Sequence, residues 1–200
     1  MARINLNDFA DIMLAKKIAS KLSKIRKIKN KQDYTPAIDF YKPIREQIIS
    51  LHKNGSNIST LTQIIKNQSD AKKINHYPPI ISAYLKWCQN KQLIWFSPPQ
   101  TVVKVIEGIE LGINPELGLQ IKGIPHLIKL YFNKDELPQE RARIITNVMA
   151  LELSSHCLSH TEIAILDVRR TKLIHHSEIP NFELAMAGEL ASIATILMRL

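Results

Sequence analysis

The chain has 200 residues, of which 45% are hydrophobic and 22% are charged, a composition that is ordinary for a soluble globular protein. No apolar run approaches the about 18 residues that a membrane span requires, and two cysteines, Cys88 and Cys157, do not make a disulfide framework. The N-terminus lacks an apolar signal core with a cleavage site, so we expect a cytoplasmic protein.

The positive charge is concentrated in the first half of the chain. Residues 1–99 hold 17 Lys and Arg against 6 Asp and Glu, whereas residues 100–200 hold 10 against 12. Residues 1–32 alone carry 9 basic and 2 acidic side chains. Such a block favours polyanionic partners such as nucleic acid or an anionic membrane surface. The alternative is a solvated helix face that only aids solubility.

A basic amphipathic helix is predicted over residues 7–30, N-capped by Asn7, within an N-terminal segment of residues 1–32. The apolar side chains with helical spacing are Leu14, Ile18, Leu22 and Ile25. The basic side chains around them are the predicted nucleic-acid contacts: Lys16, Lys17, Lys21, Lys24, Arg26 and Lys27. A linker is predicted over residues 30–33.

Residues 33–99 are predicted to form a helical subdomain. Pro43 suits the first turn of one helix, and a short helix is predicted from Ser59 to Asn67. The sequence Tyr77-Pro-Pro79 is predicted to break the chain and to begin another helix. The apolar residues 93–96 indicate a short strand or turn.

Residues 100–200 are predicted to form an α+β core, in which a mixed or antiparallel sheet is flanked by helices. Strands are predicted over residues 101–106 and 109–113, and a helix begins at Pro138. A further strand is predicted over residues 163–170, with an extension towards Ile174. The last segment, residues 181–200, is apolar nearly all round, which predicts a helix buried in the core or in an oligomer interface.

Residues 114–132 predict a β-hairpin with a two-residue turn at Lys122-Gly123, because glycine readily adopts the positive φ of a tight turn. Counting outward from the turn pairs Ile121 with Ile124, Leu119 with His126, Leu117 with Ile128 and Glu116 with Lys129. The apolar members then share one face of the hairpin. Glu116 and Lys129 are cross-strand neighbours on the other face.

This strand order, with Glu116 and Lys129, resembles the core of the PD-(D/E)XK, or restriction-endonuclease-like, superfamily over roughly residues 100–175. The resemblance implies a core of helix, three strands, helix and strand. It also implies that Glu116 would hold Mg²⁺ and that Lys129 would position or activate the attacking water. Leu127 stands where an active member has Asp or Glu, so one carboxylate remains. Glu107, Glu110 or Asp167 would have to replace the missing acid.

Three interpretations of the pair follow: an active Mg²⁺-dependent nuclease, a catalytic remnant without activity, or a cross-strand ion pair. The first two make the protein nucleic-acid-associated, with a divergent or degenerate nuclease-like core. The alternative is a non-enzymatic interaction protein that docks partner chains or self-associates through its N- and C-terminal helices.

The chain also resembles a family of bacterial proteins without assigned activity, over most of residues 39–175. The hairpin carries part of this similarity. The other matching segments are residues 39–46, 76–79, 84–87 and 165–170. The resemblance brings no function with it, and it favours one continuous unit.

A strand over residues 163–170 would place Asp167 and Arg169 on one face and Arg170 and Lys172 on the other. Adjacent arginines can bind phosphates, which makes Arg169, Arg170 and Lys172 further nucleic-acid candidates. The alternative is a strand that leaves the sheet, with Asp167 paired to an arginine.

Two other groups of residues favour structural roles. His156, Cys157 and His160 do not match the ligand spacing of zinc sites, and Cys157 is expected to be a small half-buried residue. The aromatic side chains near Lys86 and Lys91 are expected in the core rather than in a nucleic-acid stacking platform. They are Tyr84, Trp87, Trp95 and Phe96.

Overall fold

The computed structural model describes residues 2–30, 39–56, 59–66, 70–99 and 101–200. Within these ranges the chain forms helices and strands in mixed sheets, which confirms the α+β class. The helices are α1 (Leu6–Met13), α2 (Ile18–Lys29), α3 (Lys42–Lys53), α4 (Ser59–Lys66), α5 (Ala71–Cys88), α6 (Gln139–Leu153) and α7 (Phe182–Arg199). The strands are β1 (Ala2–Asn5), β2 (Leu93–Phe96), β3 (Val102–Ile106), β4 (Ile109–Ile113), β5 (Leu117–Ile121), β6 (Ile124–Tyr131), β7 (Glu162–Asp167) and β8 (Lys172–His175). Residues 31–33 of the linker predicted over residues 30–33, and the predicted helix end at Asn67, lie outside the described residues.

The strands form two sheets. The first has the order β1-β4-β3, with β1 parallel and β3 antiparallel to β4. The second has the order β2-β5-β6-β7-β8, in which β6 and β7 are parallel and the other neighbours are antiparallel. Helix α6 lies in the crossover between β6 and β7, as a parallel pair requires. The sheets thus include strands from all three predicted segments.

Two hydrophobic cores cover the opposite faces of the five-stranded sheet. The first core joins one face to the three-stranded sheet and to α1, α2, α6 and α7. Its sheet residues include Leu127, Tyr131, Ile163 and Ile165. The second core joins the other face to α3, α4 and α5, and its sheet residues include Leu117, Leu119, Ile128 and Leu166. Side chains alternate along each strand, so one strand serves both cores.

The single helix predicted over residues 7–30 is wrong. Residues 2–5 form β1, and α1 and α2 are separate helices with a break at residues 14–17. Asn5, not Asn7, is the N-cap of α1, because its Oδ1 accepts a hydrogen bond from the Asp8 N–H at 2.9 Å. Ile18, a member of the predicted apolar stripe, is 79% exposed. The break changes the helical phase, so one stripe does not continue through the segment.

The predicted chain break at Tyr77-Pro-Pro79 is also wrong, because α5 continues through both prolines. Its N-terminus is instead capped by Asp70, which accepts a hydrogen bond from the Lys72 N–H at 2.8 Å. The prolines remove two backbone donors from the helix. Burial of the neighbouring apolar residues and a 2.6 Å hydrogen bond from the Tyr77 hydroxyl to the Phe40 carbonyl stabilise this region. Tertiary packing therefore overrides the local signal.

The strand predicted over residues 163–170 ends at Asp167. Residues 168–170 form a 3₁₀ turn, and β8 then returns antiparallel to β7. The Asp167 side chain caps this turn by accepting a hydrogen bond from the Arg170 N–H at 3.4 Å, and Thr171 has a φ of +53°. The predicted distribution of Asp167, Arg169, Arg170 and Lys172 on two strand faces is therefore wrong.

The C-terminal helix is confirmed as α7, but it is not buried all round within the chain. Met186, Leu190 and Ile193 lie in the first core, whereas Leu184 and Met198 are 77% and 79% exposed. Among the described residues, no helix has both the length and the hydrophobicity needed to cross a membrane.

Candidate functional site: the cleft beside Glu116 and Lys129

The hairpin has the predicted register. Leu117 pairs with Ile128, Leu119 with His126 and Ile121 with Ile124 in the β5–β6 ladder. Lys122 and Gly123 both have positive φ, at +53° and +83°, which is the backbone conformation of a two-residue turn that matches strand twist. The register brings Glu116 and Lys129 together on the face of the sheet that also carries Leu127.

Glu116 and Lys129 form a buried ion pair, with 8% and 5% of their surface exposed. The Lys129 Nζ lies 2.9 Å from Glu116 Oε1, 3.0 Å from the Asn114 carbonyl oxygen and 3.4 Å from Asn114 Oδ1. These acceptors match the three N–H donors of an ammonium group. Glu116 Oε2 accepts a 2.8 Å hydrogen bond from the Leu130 N–H. The pair therefore ties the start of β5 to β6.

The residues present around Glu116 do not fit a Mg²⁺ ion. Both Glu116 oxygens already accept hydrogen bonds, and Leu127 contributes an apolar side chain that is 1% exposed. Asp167, one possible replacement acid, accepts a hydrogen bond from the Leu137 N–H at 3.2 Å and pairs with Arg170 at 3.4 Å. Magnesium requires several unencumbered oxygen ligands in octahedral geometry. The contacts are those of a structural ion pair.

The pair lies in the wall of a cleft of about 1360 Å³. The cleft is formed where β1, the end of α2, the start of α3 and the end of β6 meet. Its described lining is rich in positive charge, with five cationic side chains and two carboxylates. They are Arg3, Lys29, Arg45, Lys129 and Arg141, with Asp39 and Glu116.

The cationic side chains of the cleft differ in their partners. Arg45 contacts Asp39 at 2.5 Å, and Arg141 contacts Asp11 at the same distance. Arg3 and Lys29 are exposed at the cleft surface. The Arg3 guanidinium lies against Gly112, where an added Cβ would meet its Nη2 at 3.9 Å.

An aromatic pair also lines the cleft. The rings of Tyr41 and Phe132 stack with centroids 5.4 Å apart and planes 27° apart. The Phe132 carbonyl is held by Arg169, whose Nε donates a 2.7 Å hydrogen bond to it. This contact fixes the chain where β6 leaves the sheet.

The predicted nucleic-acid residues of α2 and the segment before it fall into two groups. Lys16, Lys17, Arg26 and Lys27 are exposed, and Lys24 is half-buried. Lys21 pairs with Glu189 of α7 at 2.8 Å. The C-terminal end of α2 reaches the cleft through Lys29, which lies outside the predicted set.

The predicted residues after β7 contact the loop that follows β6. Arg170 donates to the Lys134 carbonyl at 2.8 Å, and the exposed Lys172 lies 4.0 Å from Glu136. Together with Arg169 they stabilise residues 132–136, and the described lining of the cleft does not include them. The structure thus gives these side chains partners within the chain.

The remaining sequence candidates occupy structural positions. Tyr84 and Trp87 are buried in the second core, as expected for core aromatics. Cys157 is half-buried, and burial raises the pKa of its thiol. His156 and His160 are exposed; His156 lies in a 3₁₀ turn of residues 154–156 directly after α6, and His160 lies in the loop that follows.

The sequence pattern did not identify a group formed by His126, Glu162 and His175 at the other end of β6. The hairpin register already placed His126 opposite Leu119. The sequence pattern did not indicate that β6 pairs in parallel with β7 or that β8 returns antiparallel to β7. These pairings bring Glu162 and His175 to the end of the sheet where His126 lies.

No protein-family model matches the chain, and no curated protein is similar to it in sequence. Both resemblances therefore stay predictions.

Proposed function

We propose that this protein binds nucleic acid along the cleft beside Glu116 and Lys129, without hydrolysing it. The observation that carries the proposal is the excess of cationic over acidic side chains in the described cleft lining. Positive charge in a concave surface raises the local concentration of a polyanion.

The side chains of the cleft have different proposed roles, according to their contacts within the chain. The exposed Arg3 and Lys29 are the best candidates for direct phosphate contacts. Lys129 has three acceptors within the chain, so its part is to stabilise the cleft wall. The stacked Tyr41 and Phe132 rings offer an apolar surface where an unpaired base can stack.

The basic surface near α2 extends the proposed binding area beyond the cleft. Lys29 lies in the cleft, and Lys16 and Lys17 precede the helix at its far end. A helix of 12 residues is about 18 Å long, which is the span of several nucleotides. The proposed path for the ligand runs from the cleft along this helix.

The order of elements supports the restriction-endonuclease-like version of this proposal. The elements α5, β2, β5, β6, α6 and β7 follow the order helix, three strands, helix and strand, with β3 and β4 inserted after the first strand, and α5 and β2 precede the range of residues 100–175 over which the resemblance was predicted. Glu116 precedes the second of these strands, and Lys129 lies on the third. The buried pair and Leu127 favour a degenerate rather than a hydrolytic core.

The test is fluorescence anisotropy of labelled DNA and RNA, single- and double-stranded, across about 50–300 mM salt. We expect binding that weakens with salt. The Arg3→Ala/Lys29→Ala double variant should bind more weakly, with the slope of log K against log salt reduced by about 2. The matched control is Lys53→Ala/Lys122→Ala, which removes the same charge from exposed positions outside the described cleft lining.

Two results would contradict the proposal. One is the absence of binding at the lowest salt concentration, and the other is equal binding by the cleft and control variants. Parallel incubation with Mg²⁺ and Mn²⁺ tests hydrolysis. Cleavage that disappears in Glu116→Gln would establish the divergent nuclease instead.

The alternative proposal is an interaction protein that self-associates through its terminal helices. Its support is a set of apolar side chains that remain exposed on α2 and α7, namely Ile18, Leu184 and Met198. These helices pack together through the Lys21–Glu189 pair. Light scattering after size exclusion should then show a dimer that Leu184→Lys dissociates. A monomer at all accessible concentrations would contradict this alternative.

A further inference from the structure

Two histidines and a glutamate converge at one end of the strands of the five-stranded sheet. This is the end of β6 that lies away from the cleft beside Glu116 and Lys129. His126 pairs with Glu162 in the parallel β6–β7 ladder, and His175 pairs with Ala164 in the antiparallel β7–β8 ladder. One ligand atom from each side chain lies within 4.8 Å of the other two. Glu162 Oε2 is 3.2 Å from His126 Nε2 and 2.7 Å from His175 Nδ1.

The hydrogen bond made by His126 Nδ1 determines whether His126 Nε2 carries a hydrogen or a lone pair. His126 Nδ1 lies 2.8 Å from the Ile124 carbonyl oxygen, which can only accept a hydrogen bond. Nδ1 therefore carries a hydrogen, and in the neutral ring Nε2 presents its lone pair to the Glu162 carboxylate. Two lone pairs at 3.2 Å repel each other unless a cation lies between them. That cation is either a proton or a metal ion.

The surroundings of His126 are those of a metal ligand. Histidine ligands commonly donate their other N–H to a backbone carbonyl or carboxylate, which fixes the ring orientation. The His126 side chain is 6% exposed, so its ring is held in place before any ion binds. The Glu162 and His175 side chains are 43% and 50% exposed, which leaves a route for an ion from solvent.

The donor atoms indicate which ions fit. Mg²⁺ and Ca²⁺ prefer all-oxygen sites, whereas two imidazoles and one carboxylate suit Zn²⁺ and similar divalent transition metals. Tetrahedral zinc with ligands near 2.05 Å separates neighbouring donor atoms by about 3.3 Å. Both distances to Glu162 Oε2, 3.2 Å and 2.7 Å, are shorter than that separation, so the donor atoms must move apart by a few tenths of an ångström, which small rotations of the half-exposed Glu162 and His175 side chains supply.

We propose that His126 Nε2, Glu162 Oε2 and His175 Nδ1 bind one divalent transition-metal ion, with Zn²⁺ as the best match. Three protein ligands leave a fourth position for water or another small ligand. Glu162 and His175 also line an open cleft of about 830 Å³, which gives such a ligand room. The site lies at the opposite end of β6 from the Glu116–Lys129 cleft and does not depend on the nucleic-acid proposal.

The test uses the full chain, stripped of metal with a chelator and then titrated with Zn²⁺ against a chromophoric competitor. We expect one Zn²⁺ per chain, and loss of a ligand in His175→Ala or Glu162→Gln should weaken binding by at least about 100-fold. Both changes affect half-exposed side chains, so they should leave the fold intact. Co²⁺ should give the absorption of a four-coordinate ion in the wild type and not in His175→Ala.

The matched control is His160→Ala, because His160 is an exposed histidine that lines the same open cleft. This variant should bind Zn²⁺ as the wild type does, and Zn²⁺ should raise the melting temperature of both. The proposal is overturned if the wild type binds Zn²⁺ no more tightly than His175→Ala. It is also overturned if His160→Ala abolishes binding while His175→Ala retains it. The cation between His126 and Glu162 would then be a proton.

Discussion

The Glu116–Lys129 pair makes a quantitative prediction about the stability of the hairpin. Lys129→Met keeps the length of the side chain but leaves the Glu116 carboxylate buried without its cation. Removing one partner of a buried ion pair costs about 3–5 kcal/mol of unfolding free energy. Glu116→Gln leaves the lysine buried but retains an oxygen that can accept the Leu130 N–H, so we expect about 1–3 kcal/mol.

The double variant isolates the interaction between the two side chains. Each single change leaves the other side chain as a buried charge without its partner. When both charges have been removed, that cost in unfolding free energy disappears. The double variant should therefore be more stable than the sum of the single changes predicts, with a coupling of at least about 1 kcal/mol. Urea denaturation followed by circular dichroism measures all four proteins on one scale.

An exposed ion pair supplies the control. Lys172 and Glu136 lie 4.0 Å apart, with 61% and 66% of their side chains exposed. Lys172→Met should cost less than about 1 kcal/mol, because solvent screens such pairs. If Lys129→Met costs no more than Lys172→Met and the cycle shows no coupling, the pair does not hold the hairpin together. Burial of the pair would then add nothing measurable to the stability of the protein.

Three further stability measurements test other parts of the fold. Gly118→Ala should cost about 2–3 kcal/mol in urea denaturation, because its Cβ would lie 2.4 Å from the Phe96 carbonyl oxygen, and an unchanged midpoint would contradict this close packing. Gly188→Ala, within α7 and with nothing within 4 Å of the new Cβ, should instead stabilise by about 0.5–1 kcal/mol, and a loss of stability would contradict the open space described there. Burial lowers the pKa of His52, which contacts the Tyr84 hydroxyl at 2.6 Å, from 6.5 to about 4. The unfolded chain therefore binds the proton of this histidine more tightly than the folded chain does. Between pH 6.5 and pH 4 the unfolding free energy of the wild type should fall by about 1–2 kcal/mol more than that of His52→Gln. Parallel profiles of unfolding free energy against pH would rule this out.

The hairpin could be predicted from sequence because its information is local. A two-residue turn with Gly123 fixes the register of both strands, and the alternation of side chains then assigns every residue to a face. The ion pair follows directly from that register. Its burial does not, because burial depends on elements far away in the sequence that cover the hairpin. A cross-strand pair on an exposed hairpin contributes about 0.2–1 kcal/mol, well below the value expected for the buried pair.

The N-terminal segment could not be predicted because its signals compete. Leu14, Ile18, Leu22 and Ile25 have the spacing of a helix face, but Ile18 is exposed and Ile25 is buried. The segment is held instead by β1, whose pairing with β4 joins residues more than 100 positions apart. No local pattern in the segment specifies that partner.

The turn after β7 shows a different limit. The sequence pattern predicted a strand that includes Asp167, Arg169 and Arg170, because an alternating pattern does not mark where strand pairing stops. Asp167 accepts the Arg170 N–H, and this capping contact ends the strand. The reversal that follows brings His175 beside Glu162. The candidate metal site therefore depends on a turn that the sequence pattern did not reveal.

The two proposed sites share β6 but can be tested separately. Lys129 and His126 lie three residues apart, which is about 10 Å along a strand, and their side chains point to opposite faces. His175→Ala should therefore bind nucleic acid as the wild type does, and Arg3→Ala/Lys29→Ala should bind Zn²⁺ normally. Lys129→Met should weaken both nucleic-acid binding and Zn²⁺ binding, because it destabilises β6, on which both sites depend. If His175→Ala lost nucleic-acid binding while remaining folded, the two sites would be coupled and the separation proposed for them would be wrong.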